Sequence, residues 1–428
     1  MKTNRIDRTG PIDRRGFIKS SGAVAAGLAS LPTLTGAQPG ESTGGDNVPK
    51  PGTAGPEIPP AITVESFLER QRRIRELLKE SGASALLETP GGSLTWLTGL
   101  PLAPCERLVA LLLPTKGTSL LLGRALERET LQSLAGTVGE LRMWEEEEVP
   151  IHLLEKELKK RDLGNARIAL GTTLRYEEMA TLHSIFPKAR FISAGPQMAS
   201  LRQAKGGDEV ALIRTAALIA SRGIEEVASQ IREGMGEDEI AFRLEAAMRA
   251  MGAGGSANVR SGPLTSLPLA RTSGRKLVAG DVVLLEARAQ VLGYFGAVAR
   301  TLTLGKATGR MKLIHDTIRR AQEFALERAK AGVKCAVLDQ AFRSTMGGRG
   351  LFPEIRHRLG AGIGVEPAED PWLSIANTEP IPAGAVAAVG PGAYTPGEYG
   401  VLVRDVLEFT PTGGRWLTTP PASIQEIG

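Results

Sequence analysis

The chain has 428 residues, 42% hydrophobic and 23% charged, which is apolar material for two cores and too little charge density for bulk disorder. Its formal charge of +5 is concentrated at one end: residues 1–37 hold six Lys/Arg against two Asp, leaving 46 positive and 45 negative side chains in the remainder, so no basic domain exists for nucleic acid to bind. Two cysteines, Cys105 and Cys335, exclude a disulfide framework and admit at most one bridge, and the four scattered histidines form no ligand spacing with them.

Residues 13–19, Asp-Arg-Arg-Gly-Phe-Ile-Lys, precede a mildly apolar stretch from Ser21 to Leu34 and the small residues Thr35-Gly36-Ala37. That order resembles a twin-arginine export signal cleaved after Ala37. The stretch is too short and too weakly apolar to span a bilayer. The expected mature protein has no transmembrane segment and is periplasmic or extracellular. Residues 38–60 are dense in Pro and Gly and read as a linker.

From Val64 onward Phe67, Ile74, Leu77 and Leu78 recur at helical spacing. Short apolar runs follow: Ala85-Leu86-Leu87, Leu108 to Leu113, Ser119 to Leu122, Ile168-Ala169-Leu170 and Ala189 to Ile192 read as strands. Helices are expected around Leu131 and Leu134 and from Tyr176 to Ile185, with the acidic run Glu145 to Glu148 as a loop or an exposed helix face. Strands alternating with helices define an α/β layer domain, placed at 61–195. A second domain spans 200–416, with 417–428 as a tail. It opens with helices over Asp208 to Ile231 and Glu237 to Met251, broken by Gly234 and Gly236. The unit recurs as His315 to Lys330, Gly332, and Ala336 to Met346, which predicts an internal duplication.

Several frames in the second half occur in a characteristic order. They are Leu201-Arg202-Gln203-Ala204-Lys205 with Asp208-Glu209; Ser261-Gly262-Pro263 through Pro268, Arg275 and Gly280-Asp281; Gly293-Tyr294 with Arg300-Thr301; Gly360 with Gly362-Ile363-Gly364; and Pro391-Gly392-Ala393-Tyr394 with Gly400-Val401. Together they resemble the creatinase and Xaa-Pro aminopeptidase (prolidase-like) family. The resemblance implies an α+β pita-bread C-terminal domain preceded by a smaller creatinase-type α/β N-terminal domain, and, since such proteins commonly dimerise, a homodimer.

Active peptidases of that type hold two divalent metals through two Asp, one His and two Glu, with further His residues handling the substrate. Transferred position by position, the two Asp fall on Glu286 and Ala297, the metal-binding His on Ala361, and the two Glu on Gly390 and Arg404. The proton-handling His falls on Leu269 and the later substrate His on Ala368. Of the seven, only Glu286 keeps the original charge, so none carries over as catalytic, and neither a metal nor another cofactor is expected. Two dications need several carboxylates; Ala, Gly and Leu offer no ligand atom. Arg404 puts a cation where an anion is required, and two unit charges about 4 Å apart interact by about 4 kcal/mol at an effective dielectric of 20. Glu286 and Arg404 are expected to face each other as an ion pair. Tyr294, His357 and Glu369 are further candidate polar residues of the pocket; structural roles are expected for His357 at a strand end and for Glu369 in a salt bridge or in solvent.

Three readings follow. The first is a non-catalytic family member that binds an unknown ligand or protein partner. The second is a metal-free hydrolase of the creatinase type with a rebuilt site. The third is a working Xaa-Pro aminopeptidase or prolidase, which requires the ligand positions to be misaligned.

Overall fold

The computed structural model describes residues 55–428 except Leu134, so the segment read from sequence as an export signal and most of that read as a linker lie outside the described residues. The N-terminal domain opens with α1 (Val64–Glu80), capped by Thr63, whose hydroxyl accepts from the Ser66 amide at 3.2 Å. Six short strands follow: β1 (Ala85–Glu88), β2 (Ala110–Pro114), β3 (Leu120–Arg124), β4 (Glu140–Trp144), β5 (Arg167–Leu170) and β6 (Arg190–Ser193). They form one mixed sheet in the order β4-β3-β2-β1-β5-β6. β1 runs through its middle, antiparallel to β2 and parallel to β5. It is buried over its whole length, which explains a continuous apolar run in place of alternation.

Short helices α2 (Gly92–Thr98), α3 (Arg128–Ser133), α4 (Pro150–Lys160), α5 (Tyr176–Ile185) and α6 (Gly195–Gln203) connect the strands. Sequence periodicity missed α2, α4 and α6, and β4 as well, because elements this short owe their stability to tertiary burial more than to their own propensity. The acidic run Glu145–Glu148 is an exposed turn.

The second domain is built as two similar halves. Helices α7 (Gly207–Ala228) and α8 (Glu237–Ala250) precede β7 (Gly254–Ser261), β8 (Val282–Val291) and β9 (Tyr294–Leu304). Helices α9 (Gly309–Arg328) and α10 (Cys335–Gly347) precede β10 (Gly360–Gly362), β11 (Glu369–Leu373), β12 (Ala385–Val389), β13 (Gly392–Thr395), β14 (Tyr399–Leu402), β15 (Asp405–Phe409) and β16 (Gly414–Trp416). Each helix pair turns on a left-handed glycine, Gly234 at φ 83° and Gly332 at φ 86°, where a side chain would be strained. Each half has its own core, one around Ile213, Ile224, Leu244 and Leu285, the other around Ile318, Leu338, Phe342 and Leu407. The expected duplication is therefore present as architecture.

Several boundaries differ from expectation. α7 ends at Ala228, not Ile231. α9 begins at Gly309, six residues before His315, because the Thr308 side chain caps it by accepting from the Met311 amide at 3.2 Å. Residues 417–428 are not a free tail: β17 (Gln425–Ile427) adds a parallel strand beside β9, giving the sheet order β17-β9-β8-β7. Both cysteines are free. No helix among the described residues is long and apolar enough to cross a membrane.

Candidate functional site

The two halves meet where Arg404, just before β15, bridges the backbone of Ala299 on β9; each amide donates to the other's carbonyl at 3.1 Å. Ala299 pairs with Glu286 on β8, and Glu286 with Asn258 on β7. Directly opposed residues share a sheet face, and residues two apart return to it. The register therefore collects Asn258, Arg260, Glu286, Arg288 and Ala297 on one surface.

Glu286 is 8% exposed and has both oxygens engaged. Arg404 Nη1 donates to Oε2 at 2.9 Å, Arg260 Nη2 donates to Oε1 at 2.5 Å, and Asn258 Nδ2 reaches Oε1 at 3.4 Å. The Glu286–Arg404 ion pair expected from sequence is formed, and Arg260, fully buried on the other side, makes it a triad. Burial alone would raise the Glu286 pKa; Arg404 and Arg260 outweigh it and hold the carboxyl below its ordinary range. Arg288, an exposed residue on the same face, adds a third guanidinium, whose pKa is lowered by partial desolvation and by Arg404.

Gly390 makes the clamp sterically feasible. A Cβ there would lie 2.9 Å from Arg404 Nε and 3.1 Å from its Cβ and Cγ, so the arginine occupies the space that a side chain at position 390 would need. Ala297 and Ala361 are buried and present only methyl groups. Leu269 is 93% exposed; its segment flanks the triad through backbone, with the Ala270 carbonyl accepting from Asn258 at 3.1 Å and the Leu267 carbonyl from Arg260 at 2.5 Å.

His357 lies in the loop before β10. Its Nδ1 is 2.8 Å from the Arg358 carbonyl, which can only accept, so Nδ1 carries the proton; Nε2 then accepts the Tyr394 hydroxyl at 2.8 Å. Burial lowers its pKa, the Arg358 carbonyl opposes this, and Arg404 lowers it further. The ring is neutral, with both nitrogens occupied.

Two candidates belong elsewhere. Tyr294 is not part of this site: its hydroxyl donates to Glu209 at 3.0 Å, and Glu209 also accepts from Trp96 Nε1 at 3.0 Å and pairs with Arg70 at 3.4 Å. That node ties α1 and α2 to α7. Position in the Gly293-Tyr294 frame gave no indication of side-chain direction; Tyr294 pairs with Val291, an odd five residues along β8 from Glu286, and so lies on the opposite face. Glu369 sits in a separate buried network with Lys205 at 2.7 Å and with Arg202, which also binds Glu366. Burial would raise its pKa, but Lys205 and Arg202 hold it low. It is the salt-bridged carboxylate that the sequence allowed, sharing no partner with Glu286. Ala368 next to it is exposed.

Residues 211–411 match the model of "Metallopeptidase family M24", and residues 70–204 match "Creatinase/Prolidase N-terminal domain". The protein named "Probable dipeptidase PepE" from Mycobacterium tuberculosis is 30% identical over 345 residues, covering 78% of this chain and 89% of that one. Among solved structures, a prolidase from Thermococcus sibiricus superposes with a TM-score of 0.80 at 26% identity, over 84% of this chain and 99% of that one. An X-Pro aminopeptidase from Thermotoga maritima gives 0.75 at 29% identity, over 83% and 99%. The fold is the creatinase N-terminal domain joined to the pita-bread domain. The chain belongs to the M24 metallopeptidase family.

The family implies a metal centre, and the donor set here does not fit one. Glu286 is saturated by two guanidiniums, Ala297, Ala361 and Gly390 bring no donor, and Arg404 is a fixed cation. Among the described residues no group of three or more His, Cys, Asp or Glu side chains is arranged to hold a metal ion.

Proposed function

We propose that this chain is an exported, non-catalytic member of its family, acting by binding a ligand or protein partner in place of metallopeptidase chemistry. The observation that carries this reading is the Arg260–Glu286–Arg404 triad, in which the one carboxylate left at the family's metal positions is neutralised twice over. A carboxylate with depressed proton affinity and both oxygens engaged is a poor general base. His357, neutral and doubly hydrogen-bonded, offers no replacement.

The deciding measurement is the metal content of the purified mature protein after incubation with manganese, cobalt or zinc and removal of free ion. The expected result is well below about one equivalent per chain, since two fixed cations oppose a dication at this range. Close to two equivalents, together with cleavage of an Xaa-Pro dipeptide, would restore the peptidase reading that the relatives' names suggest.

Export is proposed from the Arg14-Arg15 segment. Replacing both arginines by lysine is expected to leave the precursor in the cytoplasm, as seen by fractionation; unchanged release of mature protein would remove the twin-arginine assignment.

A further inference from the structure

Away from the arginine triad, a cavity of about 440 Å³ opens between the two domains. Glu88, the last residue of β1, faces it from the N-terminal domain; Glu366, Glu369 and Asp370 face it from the other side. Of the seven positions transferred from the family, Ala368 alone lines it.

Glu88 is 1% exposed, yet one of its oxygens has no partner. Oε1 receives the Thr89 amide at 3.3 Å. A carboxylate this buried normally has its lone pairs satisfied, and the local backbone is arranged to leave it room. A Cβ at Gly171 would sit 2.1 Å from Glu88 Oε1, and one at Gly92 would sit 2.5 Å from Glu366 Cγ. Glycines therefore let both carboxylates lie against the chain at the cavity wall.

The charges around the cavity do not balance. Four carboxylates (Glu88, Glu366, Glu369 and Asp370) are met by two cations, Arg202 and Lys205. Both cations are paired, Lys205 with Glu369 and Arg202 with Glu369 and Glu366, although the buried Arg202 Nε has no partner. Glu88 is left without a counter-ion. Met198 and Pro196 supply apolar wall, and Trp372, whose ring carries the Arg358 guanidinium 4.2 Å from its centroid, completes it.

We propose that this interdomain cavity binds a small organic ammonium ion with an apolar body, its charged nitrogen against Glu88 and its body against Met198 and Trp372. The cation lowers the acidic excess and gives the unpartnered Glu88 oxygen its donor; an anion would meet that excess. A bare dication is disfavoured by Arg202, which stands among these carboxylates. The proposal concerns a different site from the arginine triad and stands whatever the metal content proves to be.

Glu88 itself reports the event. Burial raises its pKa to about 7; the Thr89 amide, Arg202 and Thr173 pull it down and Glu366 pushes it up. A cation placed against it drives off whatever proton it holds near neutral pH.

The test is isothermal titration of the full mature chain with benzylamine at about pH 7, beside benzyl alcohol and benzoate, in phosphate and in HEPES to count protons from the difference in heats. Benzylammonium is expected to bind at least roughly tenfold more tightly than benzyl alcohol, with benzoate inert and about half a proton released per ligand. Glu88→Gln, isosteric and uncharged, is expected to lose roughly tenfold in affinity and all of the proton release. The wild-type proton count stands even if that variant folds poorly. Equal binding of the alcohol, proton release unchanged in Glu88→Gln, or no benzylamine binding up to about 10 mM would each overturn the assignment.

Discussion

Glu286→Gln is expected to destabilise the protein by about 3–5 kcal/mol, measured by chemical denaturation at neutral pH followed by tryptophan fluorescence. The substitution removes one negative charge and keeps the shape, so the cost is electrostatic. Arg260 has no exposed surface, and its remaining hydrogen bond is to the Leu267 carbonyl. Without Glu286 it becomes an uncompensated buried cation, the situation in which breaking a buried pair costs that much. Arg404 is in a different position. Its side chain is 19% exposed, and Glu286 keeps Arg260 when Arg404 is removed, so Arg404→Met is expected to cost less, about 1–3 kcal/mol.

The ordering of the two variants separates a triad from a simple surface pair. If Glu286 and Arg404 merely met in solvent, both variants would cost under about 1 kcal/mol and would rank equally. A third variant sharpens the point. Replacing Arg260, Glu286 and Arg404 together by Met, Leu and Met removes all three charges, and the expected cost falls well below that of Glu286→Gln, since apolar replacement of a whole buried ionic cluster is often neutral or stabilising. A triple variant as unstable as the single one would show that packing around Gly390, not charge, sets the energetics.

The pair itself was legible in the sequence because the glycine and proline frames around it fix the register at both positions. What the sequence did not disclose was the third member. Arg260 follows Val259 in a strand and precedes the Ser261-Gly262-Pro263 frame; nothing local distinguishes a strand arginine that points to solvent from one buried beneath a carboxylate. Only the pairing of Asn258 with Glu286 and of Arg260 with Leu284 places its guanidinium on the same face. Tyr294 shows the reverse error: a frame residue whose side chain leaves the site for Glu209. The helix pairs of the second domain were readable from Gly234 and Gly332 because a helix must stop at a left-handed glycine, whereas α2 and α6 were not, being short and held by burial. β17 was missed because three residues after an irregular stretch carry no periodicity, and its place is set by β9.

Glu88 was also overlooked, being the acidic end of an apolar run, and it leads to the second large effect. Between pH 5 and pH 8, Glu88→Gln is expected to gain stability relative to wild type by roughly 2–3 kcal/mol. The sign follows from proton binding. The folded-state pKa, about 7, lies above the ordinary 4.5 of the exposed carboxyl because the charged form is buried. Across that interval the folded protein holds a proton that the unfolded chain has released. Stability contributed by the neutral acid is therefore complete below about pH 4.5 and is lost as pH rises towards 7; at 1.36 kcal/mol per pH unit the interval corresponds to roughly 3 kcal/mol. Glutamine, never ionised, escapes the loss. Glu286 and Glu369 act in the opposite sense, their pKa values being depressed, so their contribution is lost as pH falls below the ordinary carboxylate range. They are common to both proteins and cancel in the difference. Denaturation midpoints of wild type and Glu88→Gln that run parallel from pH 5 to pH 8 would mean that Glu88 has a counter-ion in solution, and a bound cation, added or carried through purification, would then have to be sought in the cavity beside it.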